Sequence, residues 1–90
     1  MFIFMMATAM FAGSGITATV QNRVLNVEVV DTNLYNITVL DQTDRLIGAE
    51  PMTLGSGELE LDIPEGNDFI RILVTNIQTG AYEVMRLRVE

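Results

Sequence analysis

Three carboxylates, Glu58, Glu60 and Asp62, fall at alternate positions in the stretch ELELDI. On a strand rising about 3.4 Å per residue, such positions share one face about 7 Å apart. Two carboxylates at that distance suit general acid–base work on a glycosidic bond, or the holding of a hard cation such as Ca²⁺. An acid–base pair requires a cleft that raises one of the two pKa values. A chain of 90 residues has little wall from which to build one, so the cluster reads as a solvated strand face whose charge opposes edge aggregation. Asp41 and Asp44 bracket Gln42-Thr43 without the alternating oxygen donors or the glycine of a calcium loop, and they read as turn residues bonded to their own backbone. Arg71, Arg86 and Arg88 are expected to pair across strands with the acids, each exposed pair contributing at most about 1 kcal/mol.

The missing residue types narrow the chemistry further. The chain has no cysteine, histidine, tryptophan or lysine, and its only serines are Ser14 and Ser56. Nucleophile–base pairs of the Ser-His, Cys-His or lysine kind therefore have no parts, and neither disulfides nor thiolate zinc sites can form. Twelve acids against five arginines give a net charge of −7, which is wrong for neutralising nucleic-acid phosphates. Gly55-Ser56-Gly57 precedes a strand and opens no helix, so it is not a phosphate loop. Asn36-Ile37-Thr38 fits a glycosylation sequon but lies within an expected strand. The expectation is a non-enzymatic chain with no catalytic residue, cofactor or metal ligand assigned.

The elements that carry these residues are strands. Leu25, Val27 and Val29 alternate within 24–30, and Tyr35, Ile37 and Val39 within 35–41. A shorter strand is expected over 45–49, and the ELELDI alternation over 58–63 is the clearest of all. Ile70, Ile72 and Val74 alternate over 69–76. Over 81–89, Met85, Leu87 and Val89 point one way and Arg86 and Arg88 the other, while Tyr82 and Val84 suggest a bulge near Val84 or Met85. Turn residues fall between the strands at Gln21-Asn22-Arg23, Asp31-Thr32-Asn33, Gln42-Thr43-Asp44, Gly55-Ser56-Gly57, Pro64 to Asn67 and Gln78-Thr79-Gly80. Such short connections favour antiparallel neighbours. The expectation is an all-β, immunoglobulin-like antiparallel sandwich of six or seven strands, with the sheet pattern starting at Thr17 and no helix.

The first fifteen residues differ from the rest. Eleven of the first twelve are apolar, and no charge occurs before Arg23. A helical run of about twelve residues spans only about 18 Å, against roughly 30 Å of bilayer hydrocarbon, so no stable membrane span is expected. The run has the length of a signal-peptide apolar region, and small residues follow it, with Ser14, Gly15 or Ala18 acceptable before a cut. Residues 1–18 are therefore expected to be a cleaved signal-peptide-like segment and residues 19–90 a single domain. The absence of a basic leader points to a start lying further upstream.

The stretches ATVQNRVLNVEVV, YNITVLDQTDRLIG, GELELDIPEGNDFIRILVTN and GAYEVMRLRVE together resemble small immunoglobulin-like β-sandwich proteins of unknown function exported by gut bacteria. They are also similar to the C-terminal sorting domains of type IX secretion cargo. Pro64, Gly66 and Phe69 stand where such domains carry Pro-x-Gly and an aromatic residue. After Asp41, where those domains carry a glycine, this chain has Gln42-Thr43-Asp44. The resemblance implies an exported domain, periplasmic, at the cell surface or extracellular, that binds a protein or an envelope polymer or serves as a structural module. Two alternatives are a sorting domain and a surface or fimbrial-type subunit that retains its N-terminal segment. Tyr35, Tyr82 and Met52 are the sizeable candidates for exposed anchors, with Tyr35 assigned to the core by parity. Exposed strand edges offer a route to a homo-oligomer.

Overall fold

The computed structural model describes residues 6–11 and 15–89. Residues 1–5 and 12–14, which hold much of the apolar run and the Ser14 cut, lie outside the described residues. Among the described residues eight strands run in chain order: β1 Met6–Phe11, β2 Ile16–Gln21, β3 Val24–Val29, β4 Tyr35–Leu40, β5 Leu46–Met52, β6 Glu58–Asp62, β7 Phe69–Asn76 and β8 Tyr82–Arg88. One turn of 3-10 helix, Leu54–Ser56, precedes β6.

All neighbouring pairs are antiparallel. From Ile16 onward seven strands form two sheets, one ordered β2-β3-β6 and the other β5-β4-β7-β8, and β1 extends the first sheet beyond β2. The chain changes sheet between β3 and β4, again between β5 and β6, and a third time between β6 and β7. Taking β2 to β8 as strands A to G of an immunoglobulin sandwich, the fourth strand pairs with the third instead of joining the fifth as it does in constant domains. The all-β, immunoglobulin-like antiparallel sandwich of six or seven strands expected from the sequence is the fold observed, with seven strands from Ile16 onward.

The alternation explains why the sheets stack. Ile16, Ala18 and Val20 of β2 and Leu25, Val27 and Val29 of β3 are fully or almost fully buried. They face Tyr35, Ile37, Val39, Ile70, Ile72 and Val74 of the second sheet, which are equally inaccessible. Each such aliphatic side chain contributes roughly 1.5–3 kcal/mol by leaving water. At Gly48 a Cβ would come within 2.9 Å of Leu61 Cδ1, so β5 approaches β6 across the sandwich only because that position lacks a side chain.

Turn chemistry sets the register. The two-residue β2–β3 turn places Asn22 and Arg23 at φ 52° and 60°, the left-handed pair that matches the twist of the flanking strands. In the β4–β5 turn, Asp44 takes φ 68°, filling with an aspartate the left-handed position that glycine ordinarily occupies. Gln42 and Asn67 tie this turn to the β6–β7 connection. Asn67 Oδ1 accepts from the Gln42 amide at 3.1 Å while its Nδ2 donates to the Pro64 carbonyl at 3.0 Å. Gln42 Nε2 in turn donates to the Gly66 carbonyl and its Oε1 accepts from the Asp68 amide. Asn67 is only 8% exposed, a buried amide with both ends satisfied.

Three expectations require correction here. The folded unit starts before residue 19, because Ile16 and Ala18 are core residues of β2 paired with Val29 and Val27. A cut after Ala18 would remove half of that strand, whereas a cut after Ser14 would leave it whole. Gly15 belongs to the same corner: it has φ +63°, a Cβ there would collide with Asp31, and its carbonyl accepts from the Val30 amide. Second, β7 and β8 pair without interruption from Phe69↔Arg88 to Thr75↔Tyr82. The bulge expected near Val84 is absent, and the register instead shifts in β4–β5 at Val39/Leu40. Third, β5 continues beyond Ala49 to Met52.

Candidate functional site

Strict alternation gives each sheet a second, outward face, and the two outward faces have opposite chemistry. On the first sheet, β6 presents Glu58, Glu60 and Asp62, all exposed. Their cross-strand partners on β3 are Glu28, Asn26 and Val24. Thr17 and Thr19 of β2 continue this face. Four carboxylates therefore share a polar surface, with Arg23 at its end donating to the Pro64 carbonyl.

The second sheet turns out Phe69, Arg71, Leu73 and Thr75 from β7 and Tyr82, Val84, Arg86 and Arg88 from β8. Asn36, Thr38 and Leu40 of β4 and Leu46, Ala49 and Pro51 of β5 complete it. Tyr82 is 68% exposed, Leu46 64% and Val84 58%, a departure from the apolar-in, polar-out rule for a half-solvated antiparallel sheet. The Arg86 guanidinium lies 3.8 Å from the centre of the Phe69 ring, within cation–π range. Asp68, Phe69, Arg86 and Arg88 line an open cleft of about 350 Å³ at this end.

The arginines do not meet the ELELDI acids. The two groups sit on opposite outer faces of the sandwich, and among the described residues the one ion pair is Arg71 to Asp44, at 2.6 Å. That geometry also spends Asp44 on the sheet. Asp41 is spent on its turn, where Oδ1 accepts from the Thr43 amide and hydroxyl and from the Arg45 amide. Chiefly the Arg45 amide, helped by Thr43, holds the Asp41 carboxyl below its ordinary range. The Asp41–Asp44 turn is thus a backbone device.

A second polar group sits where the chain crosses from β3 to β4. The Tyr35 hydroxyl donates to Asp31 Oδ2 at 2.6 Å, and Asn33 donates its amide and its Nδ2 to the same carboxylate. Tyr35 is fully buried. Burial first, and then its bond to the Asp31 carboxylate, push the phenol above its usual value, while that same bond pulls Asp31 down. The proton stays on Tyr35. Next to it a cavity of about 240 Å³ opens between Tyr35, Asn76, Thr79, Tyr82 and Glu83, below the size of an ordinary ligand pocket.

Of the anchors expected from sequence, Tyr82 is exposed, Tyr35 is core, and Met52 is corrected to core at 2% exposure. Leu46 and Val84 are exposed apolar residues that the reading missed. Continuing the parity of Met85 and Leu87 without a bulge would have placed Val84 and Tyr82 outside. No helix among the described residues is long and apolar enough to cross a membrane.

No protein-family model and no curated protein matches the chain. Its reading therefore rests on these two surfaces.

Proposed function

We propose that this is an exported, non-catalytic β-sandwich that acts through its surface, as a binding or structural module at the cell envelope or outside it. The observation that carries the reading is the outward face of β7 and β8, where Tyr82, Val84, Arg86 and Phe69 stand in one patch. Aromatic and arginine side chains gathered on a rigid sheet are the composition of recognition surfaces. The lack of histidine, cysteine and lysine supports the non-catalytic part. Retention of the natural protein on an insoluble envelope polymer such as peptidoglycan, weakened several-fold by Tyr82→Ala with Val84→Ser and unchanged by Thr19→Ala on the other sheet, is the expected result. Turnover of a substrate, or retention indifferent to all of these substitutions, would sink the reading.

The retained-segment alternative draws support from β1. Residues 6–11 pair with β2 along its full length, from Met6↔Gln21 to Phe11↔Ile16, and β1 runs beside β8. The intact mass of the natively exported protein decides whether that strand is kept.

A further inference from the structure

We infer that the outward face of the second sheet seats the outward face of the first sheet of another copy of this chain. The inference rests on the reading of the chain as a surface-acting module and names its partner. Charge selects the pairing. One face carries Glu28, Glu58, Glu60 and Asp62, and the other carries Arg71, Arg86 and Arg88, with Asp44 engaged on Arg71 and Asp68 at the rim.

Spacing supports the same pairing. Arg86 and Arg88 are alternate residues of β8, an edge strand, and Glu58, Glu60 and Asp62 are alternate residues of β6, also an edge strand. Both rows repeat at about 7 Å because both are strands read every second residue, so two arginines meet two successive carboxylates without adjustment. Tyr82 and Val84 continue the arginine row and supply apolar area that isolated ion pairs lack.

The sheet edges favour this mode over strand addition. β5 contains Pro51, which has no amide to donate, and a register shift. β6 has five residues and ends before Pro64. At these two edges strand addition is thus less favoured than contact through the faces. Two different faces meeting make a heterologous contact, which closes into a ring or continues as a filament rather than stopping at a symmetric dimer. Each copy carries −7, so repulsion acts at long range. At about 0.15 M salt the Debye length is about 8 Å, which screens the whole-molecule charge and leaves contacting pairs.

Sedimentation of the full chain over a rising concentration series at that salt tests the inference. The weight-average mass should climb past that of a dimer. Arg86→Glu with Arg88→Glu, and separately Glu58→Arg with Glu60→Arg, should each weaken association roughly tenfold or more. An equal mixture of the two variants should regain it, because opposite charges again face each other. All four positions are exposed, and a single cooperative melt of each variant shows that folding is intact. Self-association that survives Glu58→Arg with Glu60→Arg would overturn the pairing. A wild-type chain that stays monomeric would overturn it too, and if that chain is held on polyglutamate through Arg86 and Arg88, the face belongs to an acidic partner. Neither outcome removes the envelope-polymer reading, which is measured separately.

Discussion

Each sheet places two like charges directly across from one another, and it treats them differently. On the first sheet Glu28 faces Glu58, both exposed and without an ion-pair partner among the described residues. On the second sheet Arg71 faces Arg86, but Arg71 reaches Asp44 and Arg86 lies over Phe69. Like charges in register destabilise a sheet by a few tenths of a kcal/mol to about 1 kcal/mol. The second sheet offsets that cost with two side chains brought from the turn and the strand start, so the cations are held in place. The acids are left to water, and only a surface supplied from outside would neutralise them.

The largest expected effect asks whether the second sheet's outward face is open at all. Ile72 points inward and is fully buried, while its neighbour Leu73 points outward and is half-buried. Ile72→Ala should cost about 2–5 kcal/mol in urea unfolding at low protein concentration. Leu73→Ala should cost well under half as much. Equal losses would mean that the outward face is already covered within the chain.

Next comes the strut that holds the Asp44 turn against the second sheet. Asn67→Ala leaves the Gln42 amide and the Pro64 carbonyl without their partner, a loss of about 1–3 kcal/mol. Asp44→Asn keeps a residue that tolerates left-handed backbone but frees Arg71 to face Arg86. It should lower stability by at most about 1 kcal/mol and steepen the salt dependence of unfolding. On the acidic side the sign reverses. Glu58→Gln should raise stability by about 0.2–1 kcal/mol by removing the clash with Glu28, and added salt should shrink that gain.

Much of this contrast was legible in the chain. Leu25, Val27 and Val29, and Ile70, Ile72 and Val74, alternate so regularly that face and core follow from period two alone. ELELDI announced its own solvent face. What was not legible was which acid met which arginine, because that depends on the sheet each strand joins, and β6 and β8 carry similar local patterns into different sheets. Tyr82 and Val84 misled for a related reason. An apolar residue at an outward position reads as a broken register when the face is assumed to want water, whereas the strand is regular and the face is not polar. Met52 was hidden by Pro51, which shortens the apparent strand although β5 runs through it as a sheet edge. The start of β2 was obscured by the apolar run before it: Ile16 and Ala18 look like the tail of a leader and are core.

The two faces are joined through Asp31 and Tyr35, and acid and alkali should test that joint in opposite ways. Asp31 is held below its ordinary value by the Tyr35 hydroxyl and the Asn33 donors. The folded state therefore favours its ionised form, and the associated stability is present above the unfolded pKa of about 4 and lost as pH falls through the lower folded value. Tyr35 is raised by burial and by Asp31, so the folded state favours the neutral phenol. That stability is present below about pH 10 and lost as pH rises toward the folded value. Thermal melts from pH 2 to 11 should show Asp31→Asn flattening the acid limb and Tyr35→Phe flattening the alkaline limb. Tyr35→Phe should also steal part of the acid effect, because without the hydroxyl Asp31 loses the donor that depresses it most. Two limbs that respond independently would mean that the 2.6 Å bond between them does not couple the crossing to the sheet.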